Sequence, residues 1–408
     1  MNVMNRLFWK VQPRLFPDSG YPTLSASELA EEENWTWYTP YYFYPVSIGD
    51  VLHSKYQVLF KFGYGTTSTI WLCRDLHHNQ YVCMKSMVCD HPAAEREIKA
   101  MKTHPKGVQT GSQLVRHALD HFTLRKGDHT YRFLIHEPLG ISLQYILNGF
   151  RGHLPIDYVR DIAFKMFVAL NYLHGAQIIH ADIQAKNILY TIADPRVLKD
   201  SEEAEFKDPS ARKISEDTVI FQTRDLPGPI DRWIAGSKSQ PVLCDFGEAR
   251  TGKGPFTGII QPPVYRAPEV FLGLPWGKAV DVWNLVCMIW HLIFGEQLFK
   301  SREDAPDESE EQYKHHLTQM VSLIGPPPPQ LLNKLDIPIP ESFDENRLES
   351  LLQSSLRKIG AEMSAEDSLA FLGFIRKTLR WTAEEKPTAI ELVRNPWVAK
   401  GKNIATVP

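Results

Sequence analysis

Charge of one sign, paired cysteines and long apolar runs are what this 408-residue chain has little of. Its 45 lysines and arginines nearly balance 48 acids, and a net charge of −3 argues against a general polyanion binder, so no direct nucleic-acid contact is expected. The five cysteines (Cys73, Cys83, Cys89, Cys244, Cys287) make no CxxC pair and no His-flanked cluster. An odd, scattered set fits a reducing compartment, with neither a disulfide framework nor a zinc site. There is no apolar run of about 18 residues; the best candidate, Val282 to Phe294, is too short and contains Asn284 and His291. It reads as a buried helix, and no membrane partner is expected. Acids are absent from the first 17 residues, where Arg6, Lys10 and Arg14 give a faint likeness to a mitochondrial transit peptide. Pro13 and Pro17, and the lack of a long amphipathic helix, favour a plain disordered tail.

What is present is ample core material: 43% of residues are hydrophobic and 23% charged, as in a soluble globular protein. Residues 1 to about 45 form an N-terminal extension with an acidic patch, Glu31 to Glu33, followed by W-T-W-Y-T-P-Y-Y-F-Y-P. So many rings are costly to leave in water, so Trp35 to Tyr44 is expected to pack on the folded body, behind a mobile tail. From Tyr56 the pattern is that of an antiparallel hairpin, with further strands near Leu114–Leu124 and Tyr131–His136. A helix near Ala93 to Lys102 carries Ala94, Ile98 and Met101 at i, i+4, i+7. A long amphipathic run occupies Ile156 to His174, and helices follow at Val280–Phe294, Glu349–Leu356, Ser368–Leu379 and Thr388–Arg394. Between them, about 191–240 shows no core periodicity and contains P-G-P at 227–229, which reads as an insert whose Asp200 to Lys213 part forms an exposed helix. Strands first and helices second predict an α+β fold in two lobes. A β-rich lobe spans about 46–138 and an α-rich lobe about 139–400, with a cleft between them and a tail at 401–408.

Several motifs carry chemistry. Phe62-Gly63-Tyr64-Gly65-Thr66-Thr67-Ser68-Thr69-Ile70 gives G-x-G-x-x-S between two strands. Glycine there permits close backbone approach to phosphate and the positive φ of a tight turn, although a simple hairpin turn also explains it. Lys85, 20 residues past Gly65, ends an apolar strand and points a charge into the cleft, or else snorkels. Of the two glutamates on the next helix, Glu97 adjoins the inward Ile98 and is the expected partner of Lys85, rather than Glu95.

The stretch from Ile178 to Tyr190 reads I-I-H-A-D-I-Q-A-K-N-I-L-Y, with Asp182 two residues after His180 and Asn187 five further on. Cys244-Asp245-Phe246-Gly247 follows, its Asp 63 residues after Asp182 and 22 before Ala267-Pro268-Glu269. Asp281, in D-V-W, is expected to bury and brace the loop around Asp182, or to cap its helix. Together these motifs resemble a eukaryotic protein kinase over about 46–400, and within that family the SR-protein kinases, particularly fungal ones. V-S-I-G-D-V-L-H-S-K-Y-Q-V, H-A-D in place of H-R-D, the insert after N-I-L, and V-Y-R-A-P-E-V carry the closer likeness.

The resemblance implies a bilobal kinase using ATP with Mg²⁺ to phosphorylate Ser in Arg/Ser-rich proteins that work in RNA splicing. Asp182 then meets the substrate hydroxyl, Asn187 and Asp245 hold magnesium, and Phe62 to Ile70 with Lys85 and Glu97 bind the nucleotide. Ala181 removes the Arg that grips a phosphorylated activation loop, which implies constitutive activity. Gln184 replaces the Lys that neutralises the transferring γ-phosphoryl group. Lys186, two places on, is the candidate to take over, as an Arg does in the A-A-R-N of tyrosine kinases. Pro262 stands where Ser/Thr kinases place a Thr, and this leaves tyrosine specificity or a catalytically weak pseudokinase scaffold as competing readings. Lys386 replaces the Arg that clasps Glu269, giving a point charge in place of a planar fork. Six acids within Arg302–Glu311 form a solvated loop or a docking surface for Arg-rich substrates. With no nuclear-localisation run, both cytoplasm and nucleus stay open, and a monomer is expected.

Overall fold

The computed structural model describes residues 9–17, 19–105, 109–150, 152–215, 218–224, 232, 239–302, 309–332 and 343–403. Arg6, the P-G-P at 227–229, the acids at 303–308 and the tail from 404 lie outside them. Among the described residues no helix is long and apolar enough to cross a membrane. The chain divides into two compact units: one of residues up to Met101, Arg116–Ile141 and Tyr190–Gln240, the other of the remainder.

The first unit is built on a six-stranded sheet: β1 (Val51–Leu52), β2 (Tyr56–Gly65), β3 (Ser68–Asp75), β4 (Gln80–Met87), β5 (Ala118–Lys126) and β6 (His129–His136). Their order is β1-β2-β3-β4-β6-β5, antiparallel throughout. Alternation along these strands sends residues to both faces. One set, Met87 on β4 and Leu134 on β6, packs with Ala93, Ala94 and Ile98 of helix α1 (Pro92–Thr103). Another set, Tyr56, Val58, Trp71, Cys73, Val82, Met84, Tyr131 and Phe133, forms the larger core. That core, which also takes in Val46, is completed by Tyr42 and Tyr44 from the N-terminal extension and by Val219 and Phe221 from the insert.

The insert is therefore no exposed loop. Its helix Arg196–Lys207 buries Val197, Leu198, Ser201, Glu202 and Glu205, and its strands Arg212–Ile214 and Val219–Phe221 pair with each other. Glu202 accepts hydrogen bonds from Arg74 on β3 and, at 2.5 Å, from the Tyr81 hydroxyl on β4. The extension joins the same assembly. Glu32 meets the fully buried Lys61 of β2, Glu31 accepts from Thr223 at 2.8 Å, and Glu33 pairs with Lys213 at 2.8 Å. Buried charges persist only when paired, and these are. The exposed helix expected over Asp200–Lys213 is thus earlier, shorter and half-buried.

The second unit is helical around two long helices, Ile156–Gly175 and Ala279–Phe294, the latter buried at all but two positions. Trp290, Phe294, Phe371, Phe374 and Trp397 interlock with ring centroids 4.4 to 6.3 Å apart. Gly295 ends the second long helix at φ 68, and a Cβ there would lie 2.9 Å from the Gly152 carbonyl, so only glycine fits. Helices Glu310–Ile324, Arg347–Ile359, Ala365–Thr378 and Ala389–Val393 surround this pair.

Candidate active site

In the first unit, β2 and β3 meet in a tight hairpin, Gly65 opposite Ser68 with Thr66-Thr67 between. Gly63 and Gly65 have no positive φ, and a Cβ at either meets nothing within 4 Å. The expectation of a positive φ is corrected: what glycine provides is bare backbone open to a close neighbour. Tyr64 at the tip is 41% exposed. Lys85 lies within the buried run Val82–Met87 of β4, and its ammonium lies 2.6 Å from Glu97 Oε2 on α1. Glu95, two residues away and so on another face of the helix, pairs with Arg132 at 2.9 Å.

In the second unit the stretch from Ile178 to Leu189 is held by one helix, Ala279–Phe294. Asp281, fully buried, accepts from the amides of His180 (2.9 Å) and Ala181 (2.8 Å), and contacts His174 Nε2 at 3.0 Å. Asn284, one turn further along, exchanges hydrogen bonds with both backbone groups of Ile183, at 2.9 and 2.8 Å. Ala181 itself sits at φ 66, a strained region for a side-chain-bearing residue, which these bonds over-determine. Asn284 is a site residue that sequence reading missed. Its i+3 spacing from Asp281 on an otherwise apolar helix was the available signal.

Pinned in this way, the loop presents Asp182. Asn187 Nδ2 donates at 2.9 Å to both the Asp182 carbonyl and its Oδ2, and Gln184 Nε2 donates to Oδ1. Lys186 projects outward, exposed. The Asn187 carbonyl accepts from the Cys244 amide at 2.8 Å, and His180 Nε2 contacts the Cys244 carbonyl at 3.0 Å. That seats Asp245, at φ 66, beside the loop, with Phe246 buried against His180 and His104 at 5.0 and 5.7 Å between centroids.

The segment from Asp245 to Glu269 is ordered by its own residues. Arg250–Thr251 pairs antiparallel with Ile178–Ile179, and Phe256 and Trp276 exchange backbone hydrogen bonds at 2.9 and 2.8 Å. Gln261, at φ 68, donates to the Val280 carbonyl (2.7 Å) and accepts from the Ala267 amide (2.9 Å). Arg266 reaches the carbonyls of Ile260 and Gln261 at 3.2 and 3.1 Å. Glu269 Oε2 takes the Lys386 ammonium, while the buried Glu269 Oε1 has no hydrogen-bond partner. One point charge satisfies one oxygen.

A strand-borne lysine locked by a helical glutamate in the first unit, and in the second an aspartate held by a nearby asparagine with another aspartate beside that loop, are the parts of a phosphotransferase. The family model of the protein kinase domain matches residues 56–202 and 233–398, and the chain belongs to the protein kinase family. It is an enzyme of the serine/threonine class by the relatives it resembles. A serine/threonine protein kinase of Aspergillus fumigatus is 34% identical over 399 residues, covering 95% of each chain. The serine/threonine-protein kinase SRPK of Physarum polycephalum is 28% identical, covering 91% of this chain and 92% of that one. AFC2 of Arabidopsis thaliana, again a serine/threonine-protein kinase, is 28% identical over 88% of this chain and 80% of its own.

Proposed function

We propose that this kinase transfers the γ-phosphoryl group of ATP to Ser or Thr hydroxyls of Arg/Ser-rich proteins of the splicing type, without needing phosphorylation of its own activation segment. What supports the reading is Gln261. It bridges the Val280 carbonyl and the Ala267 amide from inside the segment, where a phosphate gripped by an Arg at position 181 would otherwise be needed. The likeness to SRPK supports the substrate class.

Asp182 accepts the hydroxyl proton, its carboxylate aimed by Asn187 and Gln184. The oxygen donors of Asn187 and Asp245 suit a hard cation such as Mg²⁺, which when bound neutralises charge on the phosphates. Lys85, oriented by Glu97, pairs with the α- and β-phosphates under the Phe62–Ile70 hairpin. Lys186 supplies the charge at the γ-phosphoryl group.

The test is label transfer from radiolabelled ATP to an Arg/Ser peptide, with Asp182→Ala as control, before and after phosphatase treatment of the enzyme. Transfer that depends on Asp182 and survives phosphatase is expected. Loss of activity after phosphatase overturns constitutive activity, and no transfer above the control favours a scaffold. Phosphotyrosine in the product would instead give Pro262 its tyrosine-kinase meaning.

A further inference from the structure

Cysteine spacing gave no sign of a zinc site, because the third ligand is supplied by the fold. Cys89 and Asp90 lie in the short joint between β4 and α1, and His129 opens β6. Cys89 Sγ is 3.6 Å from His129 Nδ1, and that nitrogen is 3.4 Å from Asp90 Oδ2. All three ligand atoms lie within 4.8 Å of one another. A zinc ion bonded at about 2.3 Å to sulfur and about 2.0–2.2 Å to nitrogen and oxygen has tetrahedral edges of about 3.6 Å (S to N) and about 3.4 Å (N to O). The nitrogen–oxygen distance is long for a strong hydrogen bond, and both distances match ligands sharing one cation.

The surroundings hold these groups in place. The Cys89 amide donates to the Tyr42 carbonyl at 2.9 Å, and the His129 ring stacks on Tyr41 at 5.2 Å. Cys89 is buried, whereas Asp90 is exposed, so the cluster opens to solvent on one side.

We propose that Cys89 Sγ, Asp90 Oδ2 and His129 Nδ1 bind a zinc ion, with water as fourth ligand. On binding, the Cys89 thiol gives its proton to solvent as the zinc–sulfur bond forms, and His129 keeps its remaining proton on Nε2. Thiolate and carboxylate together balance the charge of the ion. The ion ties the joint between Lys85's strand and Glu97's helix to the start of β6. It is separate from any magnesium at Asn187 and Asp245.

The test uses the full chain, stripped of metal and free of nucleotide, with Co²⁺ as spectroscopic probe. One equivalent of Co²⁺ is expected to give tetrahedral visible bands and a near-ultraviolet thiolate band, both displaced by Zn²⁺, with about one proton released. Cys89→Ser should remove the thiolate band, since the other four cysteines are buried elsewhere. Asp90→Asn, at an exposed position that spares the fold, should weaken Co²⁺ binding at least about tenfold, in the range seen for changes to a site's supporting groups. A wild-type chain without the thiolate band, a band that survives Cys89→Ser, or unchanged affinity in Asp90→Asn overturns the proposal.

Discussion

Gln184 and Asn187 each donate a side-chain amide to one carboxylate oxygen of Asp182, so neutral donors hold both lobes of that acid. Where the family's loop places a lysine, this chain places an amide that can orient but cannot neutralise. Charge opposite the transferring phosphoryl must then come from elsewhere. Among the described residues the exposed Lys186 ammonium has no ion-pair partner, which leaves it available. Lys186→Ala is expected to lower kcat about 10²–10³-fold with little change in KM for ATP, as for a contact made in the transition state. An unaffected kcat ends that assignment. Gln184→Ala, which only frees Asp182 Oδ1, should cost less, about tenfold in kcat.

Lys386 and Glu269 form a buried pair in which Glu269 Oε1 is left over. Lys386→Met strands a buried carboxylate and should destabilise the chain by about 3–5 kcal/mol. Lys386→Arg supplies a fork that reaches both oxygens, and should stabilise by about 1 kcal/mol. Denaturant midpoints of the two variants check the signs, and a Met variant as stable as the parent contradicts the pairing.

Removing Glu202 tests whether the insert braces the sheet. Glu202→Ala leaves Arg74 and Tyr81 without their acceptor and should cost about 2–3 kcal/mol. A solvent-exposed loop residue would cost less than about 0.5 kcal/mol. Thermal unfolding of the full chain distinguishes the two, because an insert that is merely tethered leaves the melting temperature unchanged.

That insert also marks the limit of what the sequence discloses. Positions 197, 198, 201, 202 and 205 of its helix are buried, a helical stripe, but three of the five are Ser201, Glu202 and Glu205. Periodicity of apolar residues is blind to a stripe whose burial depends on ion pairs with distant arginines, Arg74 and Arg224. Gln261 was hidden for a related reason: it works through backbone groups, and any segment offers those. The Ile178–Tyr190 loop was legible because its chemistry demands particular side chains at fixed spacing. Asp281 was legible as its brace, and Asn284 beside it had been read only as an interruption in an apolar run. Of the two reasons the sequence offered for the hairpin glycines, open backbone stands and positive φ does not.

His316 gives the chain an acid limb. It is 4% exposed and stacks on Phe271, the last residue of the short helix Pro268–Phe271, with centroids 4.4 Å apart. Its Nε2 has no hydrogen-bond partner. Burial, with the positive charge of Arg266 nearby, pushes its pKa down to about 3 from an ordinary 6.5. The folded state therefore binds fewer protons than the unfolded state between those values. Stability from this group is complete above pH 6.5 and is lost progressively as pH falls toward 3. The loss is about 2 kcal/mol by about pH 5, at 1.36 kcal/mol per unit. Many carboxylates titrate lower down, so the measurement is a difference: unfolding free energy of wild type and His316→Phe, each from about pH 7.5 to 5. Phe keeps the stack and cannot take a proton, so the two curves should run together above about pH 7 and diverge below it, with the variant flatter. Parallel curves across the range would mean that His316 takes up its proton in the folded chain as readily as in the unfolded one.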